Sequence, residues 1–213
     1  MRWNTMQLTA KQKGWLVYAI NQSQSAPLTQ PGPWGSAHDG YCIGLAAKWA
    51  SLMYQGQDFP FSNQECGNPP WQSTIAQNLS DSSTSPDQLG FWKAALTPFS
   101  CSLTGFNAER RNHAPSAAFF CQVAFRAYGC YGITMVGPNG AHAVAMRNGK
   151  DGMHLFDANR FHLRINNPPI FQAAVDWWLS NPPFAGGASY TSRYTTASHI
   201  FGIKPPIQIG SLQ

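Results

Sequence analysis

Charged residues and long apolar segments are both scarce in this chain. Only 11% of its 213 residues are Asp, Glu, Lys or Arg. No run of 18 or more apolar residues occurs, so a transmembrane helix is not expected. Residues 1–7 lack the hydrophobic stretch of a cleaved signal peptide, and Arg2 stands where N-myristoylation requires glycine. Any export must therefore use a route that needs no cleaved signal peptide, such as a specialised secretion system.

Paired cysteines are also missing. The chain has five cysteines, an odd number, and no two of them form a Cys-x-x-Cys pair. This pattern argues against a zinc site and against a complete disulfide framework, and it favours a reducing compartment. We expect no metal and no other cofactor. Of the cysteines other than Cys42, we expect Cys121 and Cys130 to be buried and Cys66 and Cys101 to lie in surface loops.

The basic residues do not form a patch. Lys and Arg outnumber Asp and Glu by 14 to 9, which gives a net charge of +5 and a pI near 9.1. They are scattered along the chain, and the densest pair is Arg110-Arg111. Because nucleic-acid binders usually concentrate their positive charge, we do not expect a nucleic-acid partner. A mild preference for acidic partners is compatible with this charge.

The segment that begins at Cys42 has the spacing of a helix with one apolar face. The apolar or small residues recur at helical intervals: Cys42, Leu45, Ala46, Trp49 and Met53. A helix N-terminus favours the reactive thiolate, and its first amides can hold an oxyanion. On this segment alone, however, a buried structural cysteine is the better interpretation.

Two later segments supply partners for a nucleophilic thiol. Alternation and turn residues predict strands over 130–135, 141–147 and 153–157. A hairpin folded about Gly149 and Lys150 places His142 opposite Asp157 on one face of the sheet. That is the base and orienting pair of a catalytic triad, although a slip of one residue would separate them. A core histidine and a turn-capping aspartate are the separate alternatives. The coincidence with Cys42 favours catalysis.

Three short motifs together resemble a known family. They are Gly40-x-Cys42-x-x-Leu45-x-x-x-Trp49, then Gly140-Ala141-His142-Ala143-Val144, then Phe156-Asp157-x-Asn159. Their residues and their order resemble the YopT/AvrPphB family, which are papain-fold cysteine proteases that bacteria inject as effectors. The resemblance spans roughly residues 40–161. It implies a catalytic triad of Cys42, His142 and Asp157.

The oxyanion donor departs from the pattern that the resemblance implies. Papain-like enzymes place a side-chain amide shortly before the nucleophile, whereas residues 34–39 here contain neither Asn nor Gln. The candidates for the oxyanion hole and the cleft are therefore Ser36, His38, Asp39 and Asn159, together with the backbone amide of Cys42.

The rest of the chain predicts a scaffold of one domain over residues 1–213. Its class is α+β: a papain-like fold in which the nucleophile helix packs on an antiparallel sheet that carries His142 and Asp157. One alternative places His154 and His162 opposite each other across the next hairpin, but we expect them to be polar residues at the surface. The remaining predicted elements are helices over 9–22, 88–99, 115–128 and 170–180, a short helix between loops at 57–71 and 80–87, strands over 160–165 and 199–204, and loops over 23–39 and 181–196.

These expectations combine into a secreted bacterial effector or toxin that cleaves specific proteins in the cytosol of a target cell. The triad would act through a thioester acyl-enzyme. Its partners would be the protein substrate and a cognate immunity protein or chaperone, and the target cell is either a rival bacterium or a eukaryotic host. The alternatives are a deamidase, transglutaminase or acyltransferase toxin with the same triad, and a binding module whose site is no longer used.

Overall fold

A seven-stranded antiparallel sheet forms the middle layer of the part of the chain that the structure describes. The structure is a computed structural model, and it describes residues 3–20, 41–57, 71–84, 87–182 and 187–205. The strands lie in the order β1-β6-β5-β4-β3-β7-β2. Their bounds are β1 Leu16–Ala19, β2 Ser102–Arg111, β3 Gly129–Gly137, β4 Gly140–Gly149, β5 Gly152–Asp157, β6 Phe161–Ile165 and β7 Ala197–Lys204.

Helices cover both faces of this sheet. One hydrophobic cluster joins the sheet to α2, α3 and α4, and the other joins it to α1, α5, α6 and α7. Strand β4 contributes to both, because alternate residues of a strand point to opposite faces: Ala143 and Ala145 belong to the first cluster, Val144 and Met146 to the second. The helices are α1 Trp3–Gln12, α2 Cys42–Tyr54, α3 Trp71–Asp81, α4 Gln88–Leu96, α5 Ala117–Ala124, α6 Pro168–Ser180 and α7 Tyr190–Arg193.

Side chains cap several of these helices at their N-termini. The carboxylate of Asp87 accepts a hydrogen bond from the amide of Gly90 at the start of α4. The hydroxyl of Ser116 does the same for α5, and the side chain of Asn167 does so for α6, which continues with proline. Each cap satisfies an amide that has no partner within its helix. These caps account for the positions at which α4, α5 and α6 begin.

Much of the predicted secondary structure is confirmed. Helices α2, α4 and α6, the short helix α3 and strands β3 to β7 lie where the sequence predicted them. The mixture of helices with an antiparallel sheet confirms the α+β class. Helix α2 packs on β4, as expected for the nucleophile helix. Within the described ranges, no helix has the length and apolar character needed to cross a membrane.

The prediction of one helix over 9–22 was wrong. Helix α1 ends at Gln12, and residues 16–19 form the edge strand β1, which pairs with β6. Gly14 has a φ of +68°, a left-handed conformation that ends a helix. A short apolar run such as 15–20 fits a strand as well as a helix, and here pairing with β6 decided between them. Residues 21 and 22 lie outside the described ranges.

Three smaller predictions also need correction. Helix α5 ends at Ala124, earlier than the predicted 128. The predicted loop over 181–196 contains α7, and β2 was not predicted at all. Strand β2 lies at the edge of the sheet and pairs only with β7 among the described strands, so it lacks the strong apolar pattern of a central strand.

Three residues expected at the surface are buried. Cys101 has 6% of its surface exposed and lies in the cluster that α2 helps to form. His154 and His162 are 2% and 1% exposed, and their rings face each other with Nδ1 of His154 2.9 Å from Nε2 of His162. Both rings contact Trp49 of α2, whose packing excludes them from solvent. Cys121 and Cys130 are buried as predicted, and Cys66 lies outside the described residues.

Candidate active site

His142 and Asp157 meet at one end of the β4–β5 hairpin. Nε2 of His142 lies 2.9 Å from Oδ1 of Asp157, and both side chains are buried. The predicted register was wrong by two residues. Gly149 pairs with Gly152 and Ala145 with Phe156, so the turn is centred on residues 150 and 151.

His142 and Asp157 meet despite this error in register, because successive side chains of a strand alternate between the two faces of the sheet. Continuing the observed register places position 157 across from 144, which makes His142 and Asp157 diagonal neighbours. A shift of two residues keeps both side chains on one face of the sheet, whereas a shift of one would separate them. Diagonal neighbours remain within reach of a long or aromatic side chain.

Both oxygens of the Asp157 carboxylate accept hydrogen bonds. Oδ1 accepts from the His142 ring and from the backbone amide of Asn159, which is also 2.9 Å away. Oδ2 accepts from the indole Nε1 of Trp178 and the hydroxyl of Tyr190, each at 2.8 Å. Four donors therefore fix the position of a carboxylate that has no exposed surface.

These contacts keep Asp157 ionised. Burial raises the pKa of this carboxyl, but the charge and hydrogen bond of His142, the charge of Arg160 and the hydrogen bond of Trp178 outweigh burial and lower the pKa to about 2. Nε of Arg160 lies 3.8 Å from Oδ2 of Asp157, and both side chains are fully buried. Asp157 is therefore an anion at any physiological pH.

The His142 ring is held in a defined orientation. Its Nε2 faces Asp157, so Nδ1 is the nitrogen that remains for a second partner. The ring stacks on Tyr190 at 5.2 Å between centroids and 22° between planes, and on Tyr194 at 6.3 Å and 18°. Burial lowers the pKa of His142, but the Asp157 carboxylate and, to a smaller extent, Cys42 outweigh it and raise the pKa to about 9. The imidazole is therefore protonated near neutral pH.

Cys42 is the first residue of α2 and is partly exposed. Its thiol acts on the His142 ring and contributes to raising the pKa of that ring, so the two side chains are neighbours. Helix α3 supports this end of α2, because the amide of Gly44 donates to Oε1 of Gln77 at 3.2 Å. A Cβ at position 44 would lie 2.2 Å from the backbone oxygen of Ser73, so only glycine allows α2 and α3 to approach this closely.

The candidates for the oxyanion hole divide into two groups. Ser36, His38 and Asp39 lie outside the described residues, as does Gly40. Asn159 is described: its side-chain Nδ2 lies 3.5 Å from Nδ1 of His142, and it also hydrogen-bonds to the Tyr190 hydroxyl. These contacts place Asn159 beside the histidine, and an oxyanion role for it stays a prediction.

The residues that surround the Asp157 carboxylate were not identified from the sequence. Trp178, Tyr190 and Arg160 are fully or almost fully buried against it. Arg160 donates from Nη1 to the backbone oxygen of Trp178 at 3.0 Å, and its guanidinium lies 4.5 Å from the centre of the Tyr190 ring. In the sequence, the adjacent tryptophans at 177 and 178 were the nearest signal of these surroundings. A buried indole N–H needs a hydrogen-bond acceptor, and a buried carboxylate can supply one.

Comparison with known proteins gives a structural likeness only. No family model matches the chain, and no curated protein matches its sequence. The structure is similar to the crystal structure of the Pseudomonas avirulence protein AvrPphB, with a TM-score of 0.54. The match covers 78% of this chain and 93% of the AvrPphB chain, at 16% identity. The two chains share a fold. At this identity the likeness says nothing about which residues act.

Proposed function

We propose that this protein is a cysteine endopeptidase in which Cys42 is the nucleophile, His142 the general base and acid, and Asp157 the residue that orients His142. The proposal is carried by the arrangement of three side chains: a buried His142–Asp157 pair at 2.9 Å, and a partly exposed thiol near enough to the same imidazole to help raise its pKa. A purely structural ion pair would not need an accessible thiol at a helix N-terminus beside it.

The first half of the reaction forms a thioester. Because His142 is protonated near neutral pH, the thiol proton already lies on its ring. The sulfur of Cys42 attacks the carbonyl carbon of the scissile peptide as a thiolate, and a C–S bond forms. The carbonyl oxygen becomes an oxyanion, for which the amide of Cys42 at the start of α2 is a donor candidate. The C–N bond then breaks as His142 gives its proton to the leaving amine.

The second half restores the enzyme. A water molecule gives a proton to His142 and attacks the thioester carbon. The C–S bond breaks, the product leaves as a carboxylic acid, and the proton stays on His142 beside the regenerated thiolate of Cys42. Throughout both halves Asp157 keeps the ring oriented and stabilises its charged form, without taking the proton itself.

The biological setting is proposed from the resemblance of the three motifs. The YopT/AvrPphB family consists of proteases that bacteria inject as effectors, and the shared fold with the avirulence protein AvrPphB supports this assignment. We propose a secreted effector or toxin that cleaves proteins in the cytosol of the target cell. If the target is a rival bacterium, the producing cell needs a cognate immunity protein, and the cleft at Cys42 is the surface that such a protein would cover.

The test compares three proteins after expression in a bacterial and in a eukaryotic cytosol: wild type, Cys42→Ala, and Cys101→Ala as a matched control. Cys101 is a buried free cysteine outside the site. New protein N-termini are counted by mass spectrometry, and growth is recorded. We expect new N-termini with wild type and Cys101→Ala, and a loss of roughly 10³-fold or more with Cys42→Ala.

Other outcomes separate the alternatives. Toxicity that depends on Cys42 without new N-termini would contradict proteolysis and favour a deamidase, transglutaminase or acyltransferase. Deamidation of glutamine would then appear as a mass change of about one unit in an intact target, because an amide becomes an acid. An effect that survives Cys42→Ala would point to a binding module.

A further inference from the structure

A cavity lies at the opposite end of the β4–β5 hairpin from Cys42. It has a volume of about 250 Å³ and is lined at its polar side by Arg147, Asp151, His154, His162 and Arg164. The C-terminal end of α2 closes one wall of it. The carbonyls of Leu52 and Met53, near the end of α2, already accept hydrogen bonds from the backbone amides of residues 55–57.

Strand pairing places two arginines on either side of a buried histidine. Arg147 of β4 is directly opposite His154 of β5, and His154 is directly opposite Arg164 of β6. Directly opposed residues share one face of a sheet, and neighbouring strands lie about 4.8 Å apart. The two arginine Cα atoms are therefore roughly 10 Å apart across the row, which leaves room for a small ligand between their long side chains.

The positive charges of Arg147 and Arg164 are not fully balanced by the other described residues that line the cavity. Asp151 is the single carboxylate among the described residues that line the cavity, and it is paired with Arg147 at 2.9 Å. The Asp151 side chain is 47% exposed, so solvent weakens its effect. The guanidinium of Arg164 makes no ion pair within the described ranges, and the residue is exposed.

The two histidines respond to this excess of positive charge. Burial lowers the pKa of His154, and the charges of Arg147 and Arg164 act in the same direction. The Asp151 carboxylate opposes them, and together these causes bring the pKa to about 4. The same two arginines also depress the pKa of His162, after burial and its neighbour His154. Both rings are therefore neutral at neutral pH, and the described residues that line the cavity carry a net positive charge from the two arginines.

We propose that this cavity binds a small phosphate-bearing anion, held by the guanidinium groups of Arg164 and Arg147 with His154 at its floor. Guanidinium groups bind phosphate oxygens through paired N–H donors, and a phosphate also neutralises the excess charge. The volume suits inorganic phosphate or the phosphate end of a small ester. The inference is independent of the proposed protease function, since it uses none of the triad residues.

The test is a titration of the full chain carrying Cys42→Ala, at pH 7 and constant ionic strength. Inorganic phosphate and glucose 6-phosphate are added separately, and heat and the histidine ring NMR signals are followed. We expect saturable binding of one ligand per chain and a rise in the pKa of His154. In Arg164→Gln the dissociation constant should increase about tenfold. Arg126→Gln, which removes an exposed arginine outside the cavity, should bind as the parent does.

The outcomes distinguish the ligand source and can overturn the proposal. Binding of both compounds identifies a site for the phosphate group alone, whereas binding only of the sugar phosphate identifies an ester site. In either case Arg164→Gln must weaken it. Non-saturating shifts with both compounds, or equal affinities for Arg164→Gln and Arg126→Gln, would show diffuse charge attraction and overturn the proposal. Because Arg164 is exposed, its variant should fold, and its melting temperature verifies this.

Discussion

The two ends of the β4–β5 hairpin each bury a histidine, yet they shift its pKa in opposite directions. At one end the pKa of His142 is raised to about 9, and at the other the pKa of His154 is lowered to about 4. Burial acts in the same direction at both ends, since it disfavours the charged ring. The difference comes from the neighbouring charges: the carboxylate of Asp157 acts on His142, whereas the carboxylate of Asp151 is opposed by two arginines at His154. Asp157 is fully buried, whereas Asp151 is half exposed and already paired with Arg147.

This contrast indicates what an active histidine requires from a fold. A carboxylate nearby is insufficient, because His154 has one at 3.2 Å. The carboxylate must also be shielded from water and held as an anion by donors of its own, as Trp178 and Tyr190 hold Asp157. The end of the hairpin that we propose to be catalytic is therefore defined by the surroundings of its acid as much as by the histidine.

The largest expected effect comes from Asp157→Asn, which removes the charge that distinguishes the two ends. With burial then dominant, the pKa of His142 should fall from about 9 to near or below 6.5, as that of His154 does. Proteolytic activity at pH 7 should fall on the order of 10²- to 10⁴-fold. Titration of the histidine ring signals by NMR measures the first, and a substrate assay the second.

Asp151→Asn is the matched control for this variant. Because the Asp151 side chain is 47% exposed, its removal should lower the pKa of His154 only slightly and leave activity unchanged. If the pKa of His142 stays near 9 in Asp157→Asn, the buried carboxylate is not what raises it, and the comparison between the two ends fails.

The second prediction concerns stability as a function of pH. The folded pKa of His142, about 9, exceeds the ordinary 6.5, so its contribution is complete below pH 6.5 and is lost as pH rises to 9. The folded pKa of His154, about 4, lies below 6.5, so its contribution is complete above pH 6.5 and is lost as pH falls to 4. The free energy of unfolding should therefore be greatest near pH 6.5.

Each limb of this profile should lose about 3 kcal/mol, since one pKa unit corresponds to about 1.4 kcal/mol. Denaturant unfolding at a series of pH values measures it. His142→Gln should flatten the alkaline limb. His154→Gln should reduce the acid limb without removing it, because burial also lowers the pKa of His162 at the same end of the hairpin. The two variants assign each limb to one end of the hairpin. A profile that stays flat from pH 6.5 to 9 in the wild type would contradict the raised pKa of His142.

The smallest expected effect comes from Tyr190→Phe, which removes one of the two donors to Oδ2 of Asp157. A hydrogen bond to a buried charge contributes roughly 1.5–3 kcal/mol, so the free energy of unfolding should decrease by about 2 kcal/mol. The pKa of Asp157 should rise, and kcat should decrease severalfold while KM changes little. Tyr128→Phe, at an exposed tyrosine, is the control and should change neither quantity. A structural role alone would lower stability and leave kcat intact.

The sequence predicted the local part of the site and missed the distant part. His142 and Asp157 lie 15 residues apart on one hairpin, and alternation together with turn residues was enough to predict their contact. The register error of two residues did not matter, because it preserved the face. Tyr190, by contrast, is 33 residues from Asp157 in a segment predicted to be a loop, so no periodic pattern marked it.

The same distinction holds for the fold. Helices with a clear apolar face and a capping residue, such as α4 and α6, were predicted closely. The edge strands β1 and β2 were not, because an edge strand is defined by what it pairs with more than by its own composition. Residues 16–19 become a strand through pairing with β6, and 102–111 through pairing with β7.

The position of β7 in the sheet has a consequence for the order in which the chain folds. It lies between β3 and β2, so these two strands are not paired with each other and meet only through a segment near the C-terminal end of the described chain. While residues 197–204 are still being synthesised, β2 has no partner among the described strands. We expect a slow folding step at this stage, because contacts distant in sequence must form together, and hence a sheet that is completed only after residues 197–204 have been synthesised.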